Sequence, residues 1–110
     1  MDWIELSTAS QLDDLKAASF HRPQVIFKHS TRCSISSMVK SRLDRATAPA
    51  GVDFFYLDLI RYRQLSNQIA DDFAVWHESP QIILLVNGKS IYDESHTAIS
   101  IDALEERFPK

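Results

Sequence analysis

Apolar positions recur along the chain at two spacings, and the switching between them lays out the elements. Trp3, Ile4 and Leu6 suggest a short first strand. Thr8-Ala9-Ser10-Gln11 has the form of a capping box, in which first and fourth residues satisfy each other's backbone donors. Leu12, Leu15 and Ala18 then share one helical face, and Pro23 ends the helix by restricting the residue before it. Gln24–His29 is a mostly apolar run, as expected of a strand covered on both faces. From Cys33 to about Ala46 the pattern turns helical, with Ile35, Met38, Val39, Leu43 and Ala46 at three- and four-residue steps. Val52–Leu59 is rich in strand formers, and its Asp58 is expected to hydrogen-bond the loop beyond. Arg61–Phe73 reads as a helix, with Leu65, Ile69 and Phe73 four apart. Pro80 opens the run Gln81–Val86, Asn87-Gly88 is a strong hairpin signal, and Lys89–Asp93 is the return strand. Ser100 is the expected N-cap of a last helix whose apolar side is Ile101, Leu104 and Phe108.

The resulting order is β-α-β-α-β-α-β-β-α, in a single domain over residues 1–110. Alternating β and α units predict a parallel sheet, to which the hairpin adds one antiparallel strand. The fold class is therefore α/β, a mixed central sheet with helices on both faces. Sites on such sheets lie at the carboxyl ends of the strands. The only cysteine of the chain, Cys33, stands just beyond the end of Gln24–His29.

Composition narrows the function classes. A hydrophobic share of 45% is enough for a core without staples, and two Gly and four Pro argue against disorder. A formal net charge of −3 without a basic stripe argues against nucleic acid. One cysteine cannot form an internal disulfide, and no His–Cys spacing suits a metal. No apolar run approaches membrane length, and the first residues lack a signal core. The expectation is a soluble cytoplasmic protein with no membrane partner.

Cys33 carries the candidate chemistry. A helix N-terminus favours negative charge through its unpaired N–H groups and its dipole. A thiolate is favoured there, and the thiolate is the nucleophile. Lys28, His29 and Arg32 are candidates for tuning it. A lone cysteine is ordinarily a small buried hydrophobe, but Ser30-Thr31-Arg32 and Ser34 make a polar, exposed flank.

The strand–cysteine–helix unit, and a Pro before a strand that turns back through Asn-Gly, resemble the thioredoxin-like three-layer fold. In that superfamily the Pro is cis and lies beside the active cysteine, which implies the same for Ser79–Pro80. The chain more closely resembles the YtxJ family of monothiol bacilliredoxins. Its Thr-x-Cys-Pro-Ile-Ser hallmark stands here as Thr31-Arg32-Cys33-Ser34-Ile35-Ser36, with Ser34 in place of the family's Pro. The resemblance implies a thiol–disulfide oxidoreductase that removes bacillithiol from mixed disulfides on client proteins. Cys33 would attack, and a separate reductase or free thiol would reset it. No bound cofactor is expected; bacillithiol is a co-substrate. Ser36 stands where a dithiol relative has its second cysteine, and is expected to donate a hydrogen bond to the Cys33 thiolate. Thr31, Arg32, Ser34, Ser79 and Pro80 are the expected substrate contacts, with Trp76, His77 and Glu78 as further candidates for the groove. The alternatives are a glutathione-using monothiol glutaredoxin, whose Cys-Gly-Phe-Ser run is absent, a thioredoxin-like binding module without turnover, and a thiol whose modification is itself a signal.

Overall fold

The computed structural model describes residues 1–109. Five strands form one sheet: β1 (Ile4–Glu5), β2 (Gln24–His29), β3 (Asp53–Asp58), β4 (Gln81–Val86) and β5 (Lys89–Ser95). Four helices accompany them: α1 (Ala9–Ala18), α2 (Ser34–Asp44), α3 (Arg63–Phe73) and α4 (Ile101–Glu105), with a 3-10 turn at His96–Ala98. The sheet order is β1-β3-β2-β4-β5, so β2 lies at the centre.

Local chemistry sets the ends of these elements. Thr8 and Gln11 form the reciprocal capping box of α1. Ser100 Oγ accepts from Ala103 N–H and caps α4. The Asn87-Gly88 turn has both residues at positive φ, 54° and 77°, as a two-residue hairpin of matching twist requires. That turn is also fastened to the end of α1: Asn87 N–H donates to the Ser19 carbonyl at 2.9 Å, and Gly88 N–H to Ser19 Oγ at 2.8 Å.

Two apolar layers enclose the sheet. On one face Leu12 and Leu15 of α1 and Leu65, Ile69 and Phe73 of α3 pack with Ile26, Leu57, Ile83 and Leu85. On the other, Val39 and Leu43 of α2 and Ile101 and Leu104 of α4 pack with Val25, Phe27, Phe54, Ile82 and Leu84. The alternation along β2 and β4 between these two sets is the two-residue period of a doubly covered strand. At the rims the sheet is meagre. β1 has two residues, and β5 alternates exposed Lys89, Ile91 and Asp93 with half-buried neighbours, with a register irregularity opposite Leu84 and Leu85.

One expectation of topology is corrected. The hairpin return was expected to be the single antiparallel strand, but β4 itself runs antiparallel to β2 and β5 antiparallel to β4. The cause lies in the connection after α3. Ala74 caps the helix in the left-handed conformation, and the chain then meets the sheet at the carboxyl end of β2, with Gln81 opposite Lys28. A parallel strand would have required a crossover to the other end. This reversal brings Pro80 to the end of the sheet from which the Cys33 loop departs.

The hairpin makes a direct test of the packing. A Cβ at Gly88 would stand 2.9 Å from the Phe20 ring, at a φ of +77°. Gly88→Ala should lower the unfolding free energy by about 1–2 kcal/mol, measured as a shifted midpoint in urea.

Candidate active site

Cys33 is the N-cap residue of α2, with extended backbone, and its side chain makes no capping hydrogen bond. The helix therefore begins one residue later than its apolar pattern suggests, at Ser34. Cys33 is the only cysteine, partly exposed and free. Its N–H donates to the Ser30 carbonyl at 3.2 Å, closing the loop 30–33 into a tight turn. A negatively charged sulfur at an N-cap faces the first-turn amides that have no partner within the helix.

His29 and Ser36 hold that loop from beneath. His29 is buried, its ring stacked on Phe27 at 5.9 Å and tilted against Tyr56 at 5.7 Å. Its Nδ1 lies 2.7 Å from Ser36 Oγ, and Ser30 N–H donates to the same oxygen at 3.0 Å. Ser36 is fully buried. Its expected hydrogen bond to the Cys33 thiolate is replaced by these two partners, because the third residue of the helix is turned under the loop. Burial, with Lys40 next, pushes the His29 pKa below its ordinary value, while Asp58 and Asp44 oppose the shift.

Lys28 lies on the other face of the sheet. It was a candidate for tuning the thiol; the structure places it wholly buried. Its Nζ donates to the Ser66 carbonyl of α3 at 3.0 Å and lies 3.4 Å from His77 Nδ1. Consecutive residues of a strand point to opposite faces, so Lys28 and His29 cannot serve one group. Sequence reasoning missed Ser66 and His77 as partners. The available signal was the lysine inside an otherwise apolar buried run, which must find acceptors somewhere.

The remaining candidates divide by element. Thr31, Arg32 and Ser34 flank the cysteine and are exposed. Asp58 Oδ1 accepts from Ile60 N–H at 3.1 Å and Arg61 N–H at 3.2 Å, shaping the loop after β3 as expected. The Ser79–Pro80 bond is cis; Pro80 is buried, and Ser79 Oγ is buried without a hydrogen-bond partner. Ile35 and Met38 belong to the apolar pattern that marks α2, but they are 45% and 52% exposed because nothing covers that side of its first turns. Trp76, on the segment before Pro80, is 91% exposed and so is not a packing residue. Among the described residues no helix is long and apolar enough to cross a membrane, and no cluster of three His, Cys, Asp or Glu could hold a metal.

Known proteins resemble this arrangement over nearly its whole length. A family profile described as monothiol bacilliredoxin BrxC matches residues 4–104. A solved structure whose description assigns an oxidoreductase with a thioredoxin fold is 29% identical, with a TM-score of 0.82, covering 94% of this chain and 91% of that one. Thioredoxin of Fasciola hepatica is 17% identical at a TM-score of 0.73, covering 93% and 92%. Thioredoxin of Trypanosoma brucei brucei is 12% identical at 0.76, covering 96% and 87%. The last two share the fold alone.

The buried pair predicts two effects on stability. Ser36→Ala leaves the Ser30 amide and the His29 ring without their shared oxygen, and should cost about 1–3 kcal/mol in urea unfolding. Stability should also fall as pH drops below about 6.5, because the lowered pKa values of His29 and His77 let the unfolded chain bind more protons. In His29→Gln the acid decline of the unfolding midpoint should be smaller.

Proposed function

The chain belongs to the monothiol bacilliredoxin family, and we propose that Cys33 removes a low-molecular-weight thiol, bacillithiol, from mixed disulfides on other cytoplasmic proteins. It is a thiol–disulfide oxidoreductase with the thioredoxin fold. The observation that carries the proposal is the pairing of an accessible cysteine at a helix cap with a buried, engaged serine three residues on.

In the proposed step the Cys33 thiolate attacks the bacillithiol sulfur of a protein–bacillithiol disulfide. A new disulfide forms between Cys33 and bacillithiol, the old one breaks, and the client leaves as a thiolate that takes a proton from solvent. The client sulfur is reduced and Cys33 is oxidised. Nothing within the chain can take the next step, since Ser36 carries a hydroxyl and that oxygen is held by His29 and the Ser30 amide. A second bacillithiol or a separate reductase must attack the Cys33 disulfide to regenerate the thiol. Thr31, Arg32 and Ser34 are exposed around the sulfur and are the proposed contacts for the small thiol. Exposed Ile35, Met38 and Trp76 offer apolar surface to the client, and the backbone at Ser79 and Pro80 is the proposed edge for its extended segment.

Transfer is the deciding measurement. The purified chain is mixed with a bacillithiol-modified test protein, and separately with a glutathione-modified one, without added reductant; both partners are then weighed by intact mass spectrometry. The bacillithiol adduct should move to Cys33 and accumulate there, and Cys33→Ser should be inert. Ser36→Cys should instead release the small thiol and end as an internal disulfide. Transfer from the glutathione adduct alone would replace the proposed co-substrate. No transfer from either would favour a binding module.

A further inference from the structure

The most unusual group outside the thiol loop is Lys28. Its side chain is fully buried in the central strand, and no carboxylate is among its hydrogen-bond partners. Burial lowers its pKa to about 8. A buried charge without a counter-charge weakens a fold. Core integrity does not explain it either. Ser66 lies inside α3, where a helical N–H four residues on already serves its carbonyl. His77 Nδ1 has a second neighbour in Ser66 Oγ at 3.4 Å. Removing the ammonium would therefore orphan little.

The partners of Lys28 show what it does. Gln81 is its register partner across the β2–β4 pair, also buried, and Gln81 Nε2 donates to the Trp76 carbonyl at 2.8 Å. Two buried polar side chains at one rung of the sheet thus hold two successive residues of the segment that leads into Ser79–Pro80. One takes the main chain of Trp76, and the other takes the ring of His77. Trp76 itself is left almost fully exposed.

We propose that Lys28 is a positioning residue for the exchange reaction: anchored to α3 through the Ser66 carbonyl, it holds His77, and with it residues 76–80, as the fixed wall on which the client protein docks while Cys33 attacks its mixed disulfide. Resting as it does on Cys33 acting on protein mixed disulfides, this role distinguishes large substrates from small ones. A small disulfide needs only the thiolate; a client segment needs an ordered edge, whose ordering cost is met in advance.

The hold depends on the protonation of His77. Nδ1 accepts from the ammonium only while it carries no proton. The groups facing the ring are Lys28 on β2, Arg63 on α3 and Glu78 beside it; Glu78 Oε2 also lies 3.2 Å from His96 Nε2 after β5. Burial, then Lys28 and Arg63, push the His77 pKa below its ordinary value, against Glu78. A proton on Nδ1 would set two donors and two positive charges against each other, so acid opens the hold.

The test compares two substrates on the full chain between about pH 5 and pH 8, the range in which histidine titrates. One is a bacillithiol- or glutathione-modified protein, and the other a small aromatic disulfide. Their rate ratio cancels the thiolate fraction of Cys33. Lys28→Met should unfold at the same or higher urea concentration, slow the protein substrate about tenfold, as expected for loss of a charged hydrogen bond, and leave the small disulfide within about twofold. In the parent the ratio should fall in acid. In His77→Asn, which cannot titrate, it should be flat, and this variant decides the matter independently of how Lys28→Met folds. Equal slowing of both substrates in Lys28→Met, or an acid fall that persists in His77→Asn, would overturn the proposal. Backbone order parameters of residues 76–79 supply a readout without substrate. They should drop in Lys28→Met from the rigid range near 0.85 toward about 0.6; unchanged values would equally overturn it. A parent that accepts no protein adduct would refute the client reading alone, while the order parameters still decide the hold.

Discussion

Strand β2 is buried from its first residue to its last, with a neighbour along each edge and helices over each face. A strand so enclosed can accommodate a polar side chain only if a partner waits on the face to which it points. The chain nonetheless ends β2 with two titratable residues in succession. Alternation sends His29 toward α2 and Lys28 toward α3. His29 meets Ser36 and through it the Ser30 amide, which fixes the loop of the cysteine. Lys28 meets Ser66 and His77, beside the loop that leads to Pro80. The cysteine loop and the segment before Pro80 are thus each tied to one of two adjacent residues of the central strand.

Features with a local cause were legible in the sequence. The capping box at Thr8, the cap at Ser100 and the positive-φ turn at Asn87-Gly88 each depend on a few neighbouring residues, and each formed as its chemistry required. The placement of Cys33 at the start of α2 was legible for the same reason, since strand, polar turn and helix follow within a dozen residues. The direction of β4 was not: an apolar run reads alike in either direction, and its reversal depends on where the segment after α3 lands. Nor did periodicity reveal that Ile35 and Met38 are exposed, because it marks an apolar stripe without saying how far the opposing layer extends. Lys28 and Ser36 were read by their distance along the chain from Cys33. Their partners are set by the faces of the sheet and the helix, which sequence separation does not encode.

Ser34 bears on the chemistry in another way. It occupies the first helical position of α2, where the family pattern has a Pro that carries no N–H. Serine restores a donor at the end of the helix where the sulfur sits, and gives up the fixed φ that would predispose the turn. The loop is closed by two ties that do not involve residue 34, the Cys33 amide to the Ser30 carbonyl and the Ser30 amide to Ser36.

The meagre rims of the sheet have a consequence for encounters between this chain and others. An open strand edge is a template for addition by any other chain that meets it. A two-residue β1 offers almost no ladder to copy. At the other rim, Lys89, Asp93 and Glu94 place charge along β5, and the irregularity beside Leu85 interrupts its pairing. Sheet growth is discouraged at both borders, so a chain that meets this one finds no ladder along which to stay.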